Sequence, residues 1–83
     1  MDKTKIYNTD EINDALIEDM LNDVSLTLEE KGYNPVNQIV GYLLSGDPGY
    51  ISSYKEARNK ITKFDRTKVL EVLVKRYIKK WDI

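Results

Sequence analysis

Cysteine and histidine are both missing from the 83 residues. Without cysteine there is no disulfide framework and no thiolate metal site. Without histidine the commonest general base and metal ligand is gone. Proline occurs twice and glycine four times, and both prolines and three of those glycines fall between Lys31 and Pro48. No apolar run is long enough to cross a membrane, and the opening Met1-Asp2-Lys3-Thr4-Lys5 lacks the apolar core of a signal peptide. A cytoplasmic protein is expected. Strand-like alternation is also missing. What remains reads as one small domain with a modest core, a size at which oligomerisation commonly adds stability.

The formal net charge of -1 conceals a strong polarity. From Asp10 to Glu30 every charged residue is acidic: Asp10, Glu11, Asp14, Glu18, Asp19, Asp23, Glu29 and Glu30. From Lys55 to Lys80 the charge is mostly basic, opposed only by Glu56, Asp65 and Glu71. Such polarity suits two halves packing together, two copies packing together, or a basic face kept for an anionic partner.

Residues 1–9 are polar, without helical period, and read as a flexible tail ahead of a helical domain over 10–83. Thr4 and Thr9 offer hydroxyls there. A first helix is expected from about Asn8 to Lys31, with Asn8 or Thr9 as its cap and Asp10 and Glu11 at the positive end of its dipole. Ile12, Leu16, Met20, Val24 and Leu28 recur every four residues and are the expected inward stripe, widened by Ile17 and Leu21. Gly32 should close the helix in a left-handed conformation. Asn34-Pro35 starts a second helix, cap followed by proline, with Val36, Ile39, Val40, Leu43 and Leu44 as its core face. Tyr33 and Tyr42 should flank the core with wet hydroxyls. Gly41 should admit a close neighbour, and Gly46 should end the helix. Asp47-Pro48 repeats the start signal for a short turn through Ile51. Ser53 and Glu56 have the spacing of a capping box for a third helix to about Phe64, with Tyr54, Ala57, Ile61 and Phe64 inward. Asp65 caps a last helix with Val69, Leu70, Leu73, Val74, Tyr77, Ile78 and Trp81 inward. The expected fold is all-α: four main helices and one short one.

Chemistry is hard to find in this set. No nucleophile stands beside a base, and no cofactor motif is present, so an enzyme is not expected. Asp10, Asp14 and Glu18 form a helical carboxylate ladder, but nothing completes a metal site. Gly41 and Gly46 have a phosphate loop's glycine spacing, yet Asp47-Pro48 stands where Lys-Ser/Thr is required. A helix-turn-helix-like nucleic-acid binder remains open on these grounds, using the basic face of residues 55–68. Lys55, Arg58, Lys63 and Arg66 lie on that face, and the two arginines suit bidentate phosphate contact.

The run Glu29-Glu30-Lys31-Gly32-Tyr33-Asn34-Pro35-Val36-Asn37-Gln38-Ile39-Val40-Gly41-Tyr42-Leu43-Leu44-Ser45-Gly46-Asp47-Pro48, followed by Tyr50-Ile51 and Ala57-Arg58-Asn59, closely resembles the IreB family of regulatory phosphoproteins of Gram-positive bacteria. Asp65-Arg66 through Glu71, then Leu73-Val74-Lys75 and Tyr77, extend the resemblance. It implies a small helical homodimer that is cytoplasmic and not an enzyme. It implies a membrane Ser/Thr kinase and a cognate phosphatase acting on a tail threonine. It also implies control, in some members through Clp-type proteolysis, of the enzyme committing UDP-N-acetylglucosamine to peptidoglycan, and hence of cephalosporin tolerance. Thr4, ahead of Ile6-Tyr7-Asn8, matches the family's acceptor, and Thr9 is a weaker second. Arg58 and Arg66 match regulatory arginines, with Lys55 and Lys63 beside them as partner-binding candidates. Ser52 stands where the family usually has proline, and Ser53 and Thr62 where it has basic residues. The basic set is therefore thinner than the family's.

Overall fold

The computed structural model describes residues 9–80. Thr4, the Asn8 cap and Trp81 lie outside them. The chain forms α1 (Thr9–Glu30), α2 (Pro35–Ser45), a 3₁₀ turn (Pro48–Tyr50), a second 3₁₀ turn (Tyr54–Glu56), α3 (Ala57–Thr62) and α4 (Arg66–Lys79). No strand occurs among the described residues, and the all-α expectation holds.

The starts and stops obey local chemistry. Asn34 accepts from the Asn37 amide at 3.1 Å, with Pro35 opening α2. Asp47 accepts from the Gly49 amide at 2.8 Å. Asp65 accepts from the amides of Thr67 and Lys68 at 2.7 and 3.4 Å and so caps α4. Gly46, at φ 76°, returns its amide to the Tyr42 carbonyl and closes α2.

α1 is the spine, touching α2, α3 and α4 in turn. Its buried face is Ile17, Met20, Val24, Thr27 and Leu28. Ile12 and Leu16, expected inward, are each 50% exposed. The reason is geometric. A strict four-residue spacing drifts about 40° per step around a helix of 3.6 residues per turn, so Ile12 and Leu28 cannot share one face. The buried set instead alternates steps of three and four.

α2 is likewise rotated from expectation. Ile39, Tyr42 and Leu43 are buried, whereas Val36 and Leu44 are 68% and 82% exposed and Val40 is also exposed. Tyr42 is therefore a core residue, not a flanking one. Beside it Gly41 does admit a close neighbour, the Tyr50 ring of the first 3₁₀ turn. A Cβ at Gly41 would lie 2.9 Å from Tyr50 Cε1 and closer still to Cδ1.

The third helix begins later than the capping-box spacing predicts. Ser53 makes no side-chain cap, and Lys55 and Glu56 both adopt positive φ, 47° and 66°. Such a pair breaks a helix. The break lets Ile51 and Ala57 both enter the core fully buried, while Glu56 accepts from the Asn59 side chain instead of the Ser53 amide. α4 contributes Val69 and Val72 to the core, and Leu70, Leu73, Val74, Tyr77 and Ile78 are exposed. Val72 was absent from the expected stripe.

Candidate regulatory surface

The acidic and basic halves of the chain meet inside one molecule. Along α1, Asp14 pairs with Lys75, Glu18 with Arg76 at 3.4 Å, Asp23 with Lys60 at 2.7 Å and Glu30 with Lys55 at 2.8 Å. Of the three readings of the charge polarity, the packing of the two halves is thus realised within the monomer. Two carboxylates of the ladder, Asp14 and Glu18, face lysine and arginine and not a shared ion site.

The Glu30 corner is the most elaborate. Its carboxylate accepts from Lys55 Nζ at 2.8 Å and from the Tyr54 hydroxyl at 3.1 Å. Lys31 and Lys55 stand near the Tyr54 ring face at 5.1 and 5.5 Å. The lysine, and after it the tyrosine, holds the Glu30 carboxyl below its ordinary range, and the same bond raises Lys55. Asp14 raises Lys75 in the same way.

The four basic candidates have different employments. Lys55 is engaged by Glu30. Arg58, half-buried, donates Nε to the Ile51 carbonyl at 2.8 Å, fixing the segment that feeds Ile51 into the core. Arg66 donates Nη1 to the Leu43 carbonyl at 2.9 Å. Its guanidinium lies against Gly46, where a Cβ would stand 2.8 Å from Arg66 Cζ. A cation at the open carbonyls of a helix end is well placed by the helix dipole. Lys63 is exposed and has no ion pair with any described residue. No hydrogen bond or ion pair joins these four residues to one another. Arg58 does line a polar cleft of about 210 Å³ with Ser53, Glu56 and Asn59. Thr9 is the first residue of α1 and exposed, so it belongs to the helix rather than to the tail.

Sequence reasoning placed Arg58 and Lys55 outward. It missed that arginines could serve backbone carbonyls far away in the chain, since nothing local marks the acceptor. It also missed the apolar surface. Leu21, Pro35, Val36, Val40, Leu43 and Leu73 line a groove of about 410 Å³ between α1, α2 and α4, continuous in sequence with the exposed Leu44.

The helix-turn-helix alternative finds little support in this geometry. α3 has six residues, too few for a recognition helix lying along a groove. Lys55 and Lys60 already hold carboxylates. No helix is long and apolar enough to cross a membrane among the described residues. The family model for the IreB regulatory phosphoprotein matches residues 2–79, nearly the whole chain and including the Thr4 segment. With a capped, all-helical body and a match of that extent, the chain belongs to the IreB regulatory phosphoprotein family.

Proposed function

We propose that this protein is a non-enzymatic cytoplasmic switch whose Thr4 is phosphorylated by a membrane Ser/Thr kinase and dephosphorylated by a cognate phosphatase. In this reading it tunes peptidoglycan synthesis, and with it cephalosporin tolerance, by controlling Clp-type proteolysis of the first committed enzyme. The observation that carries the reading is the family match, which starts at residue 2 and so takes in Thr4. Metabolic phosphate labelling of cells carrying the wild type or Thr4→Ala tests it. Labelling should vanish in the variant and the committed enzyme should turn over faster. Unchanged labelling would remove Thr4 as the acceptor.

The protein works as a homodimer in this proposal, joined over the groove between α1, α2 and α4. The exposed line Val36, Val40 and Leu44 supports it, because a helix leaving three aliphatic side chains on one outer face has apolar area to bury. Sedimentation of Val40→Glu/Leu44→Glu should give a monomer with unchanged helix content. A persisting dimer would move the interface elsewhere.

Lys63 is the candidate for a partner's acidic surface, because it holds no ion pair with any described residue. Arg58 and Arg66 can add charge through their unused donors. Pull-down of the partner with Lys63→Glu separates the two cases: lost capture supports the basic face, and full capture counts against it.

A further inference from the structure

Residues 53–56 carry a helix start signal that the fold leaves unused. Ser53 and Glu56 have capping-box spacing, and Tyr54, Ala57 and Ile61 follow at the spacing of one helical face. Yet Ser53 makes no side-chain cap bond, α3 opens only at Ala57, and Lys55 and Glu56 stand at φ 47° and 66°. A left-handed conformation in two successive residues that carry side chains is strained. Such strain persists only where surrounding contacts hold it.

Those contacts come from three elements. From α1, the Glu30 carboxylate accepts from Lys55 Nζ at 2.8 Å and from the Tyr54 hydroxyl at 3.1 Å. From α2, Gln38 Oε1 accepts from the Ser52 amide at 3.0 Å. From α3, Arg58 donates Nε to the Ile51 carbonyl at 2.8 Å and its amide to the Ser52 carbonyl at 3.1 Å. Ile51 is fully buried. A continuous helix from Tyr54 would give up the Ile51 burial and both of these Arg58 bonds. It would gain the Ser53 cap and relieve two left-handed residues. The strain and one cap together are of the same order as the burial of one isoleucine side chain, so the two forms lie close in free energy.

We propose that residues 53–58 are a two-state hinge. In the bent form Lys55 is held by Glu30 and Arg58 by Ile51. In the straight form Ser53 caps a helix running from Tyr54 to Thr62. Lys55 and Arg58, three positions apart, then become neighbours on the helix surface, released from their separate ties. The hinge converts two tied cations into a paired cationic spot for an acidic side chain of a partner protein. That consequence rests on the basic face being the partner-facing one, whereas the hinge itself does not. A partner that takes both cations favours the straight form through its differential affinity for the two.

Backbone NMR of the full-length chain tests the hinge without any partner. Scalar couplings report the sign of φ at Lys55 and Glu56. Relaxation dispersion reports a minor form of about 0.1–10% exchanging in microseconds to milliseconds. Glu30→Ala/Arg58→Gln removes the ties and should raise the straight population at least about tenfold, or turn both φ values negative outright. Ser53→Ala added to it should cut that population about fivefold, the worth of one cap, because the bent form makes no cap with the hydroxyl. Lys55→Gly/Glu56→Gly, which relieves the strain in place, should abolish the exchange. Methyl resonances of Val24 and Ile61 report that the core stays folded, and Glu30→Ala alone, at an exposed carboxylate, carries the same test if the double variant unfolds. Two positive φ values without exchange in the untied variants would overturn the proposal. So would a straight population insensitive to Ser53→Ala, or exchange that survives the two glycines. Full partner capture by Lys63→Glu would instead defeat the reading of the basic face and leave the hinge result interpretable.

Discussion

The two ends of α1 are held by different forces. Around Val24 and Leu28 the helix meets Ile51, Ala57 and Ile61, all fully buried, and the ion pairs to Lys55 and Lys60 lie over that apolar contact. Around Ile12 and Leu16, which are half-exposed, Asp14 and Glu18 pair with Lys75 and Arg76 of α4, whose Val74, Tyr77 and Ile78 stay exposed. Burial of aliphatic area contributes about 25 cal/mol per Å², whereas an exposed ion pair contributes little. The α3 end should therefore be the stable end and the α4 tip the yielding one.

Breaking the α3 end should have the largest effect. Leu28→Ala or Ile61→Ala should cost about 2–5 kcal/mol, out of a total of about 4–12 kcal/mol for a domain of this size. Urea unfolding checks it, and a loss below 1 kcal/mol would show that the core is not concentrated there. Next comes Gly41→Ala, at about 1–3 kcal/mol, because its methyl meets the Tyr50 ring. In a Tyr50→Ala background the same change should be nearly neutral, and additivity of the two would show that the ring contact is not the cause. Arg66→Ala should lose about 1 kcal/mol with its bond to Leu43. Thermal melts with Arg66→Lys beside it separate a charge at the helix end from the specific fork.

At the α4 tip, where exposed ion pairs link the helices, effects should be smaller than in the core and more sensitive to salt. Hydrogen exchange should show the amides of Arg76 to Lys79 opening before those of Val69 to Val72, with Lys75→Gln widening the gap slightly. Equal protection along α4 would erase the contrast between the ends. The smallest expected effect is the pH dependence of the Glu30 corner. Its carboxyl is held below the ordinary value, so its contribution is present above the unfolded pKa and is lost as pH falls through the folded one. The Lys55 partner is raised, so its contribution is present below the ordinary lysine value and fades as pH rises through the folded one. Urea midpoints of Glu30→Gln should accordingly lack a small part of the fall seen below about pH 5. An acid limb identical to wild type would mean the corner contributes nothing.

Helix boundaries were largely legible in the sequence because a cap bonds to its own next residues. Asn34-Pro35, Asp47-Pro48, Asp65 and Gly46 each act within four positions. The Ser53–Glu56 box misled for the opposite reason: its local preference was overridden when Ile51 and Ala57 both needed burial. Much of the candidate surface was visible as residue types but not as employments. Arg58 and Arg66 read as free cations until their carbonyl acceptors, Ile51 and Leu43, were brought to them by the fold. The expectation for Thr4 came only through resemblance and falls on a residue outside the described ones.

By itself the sequence determined an all-helical domain, the places where most of its helices start and stop, and a charge polarity that the halves of one chain can satisfy mutually. Those properties depend on short-range bonds and on composition. Only the tertiary structure decided which face of α1, α2 and α4 turns inward, and that Tyr42 and Val72 enter the core while Val36 and Leu44 remain outside. Those choices depend on contacts between residues far apart in the chain. Several apolar faces of similar merit compete for one small interior, and only their simultaneous packing picks among them.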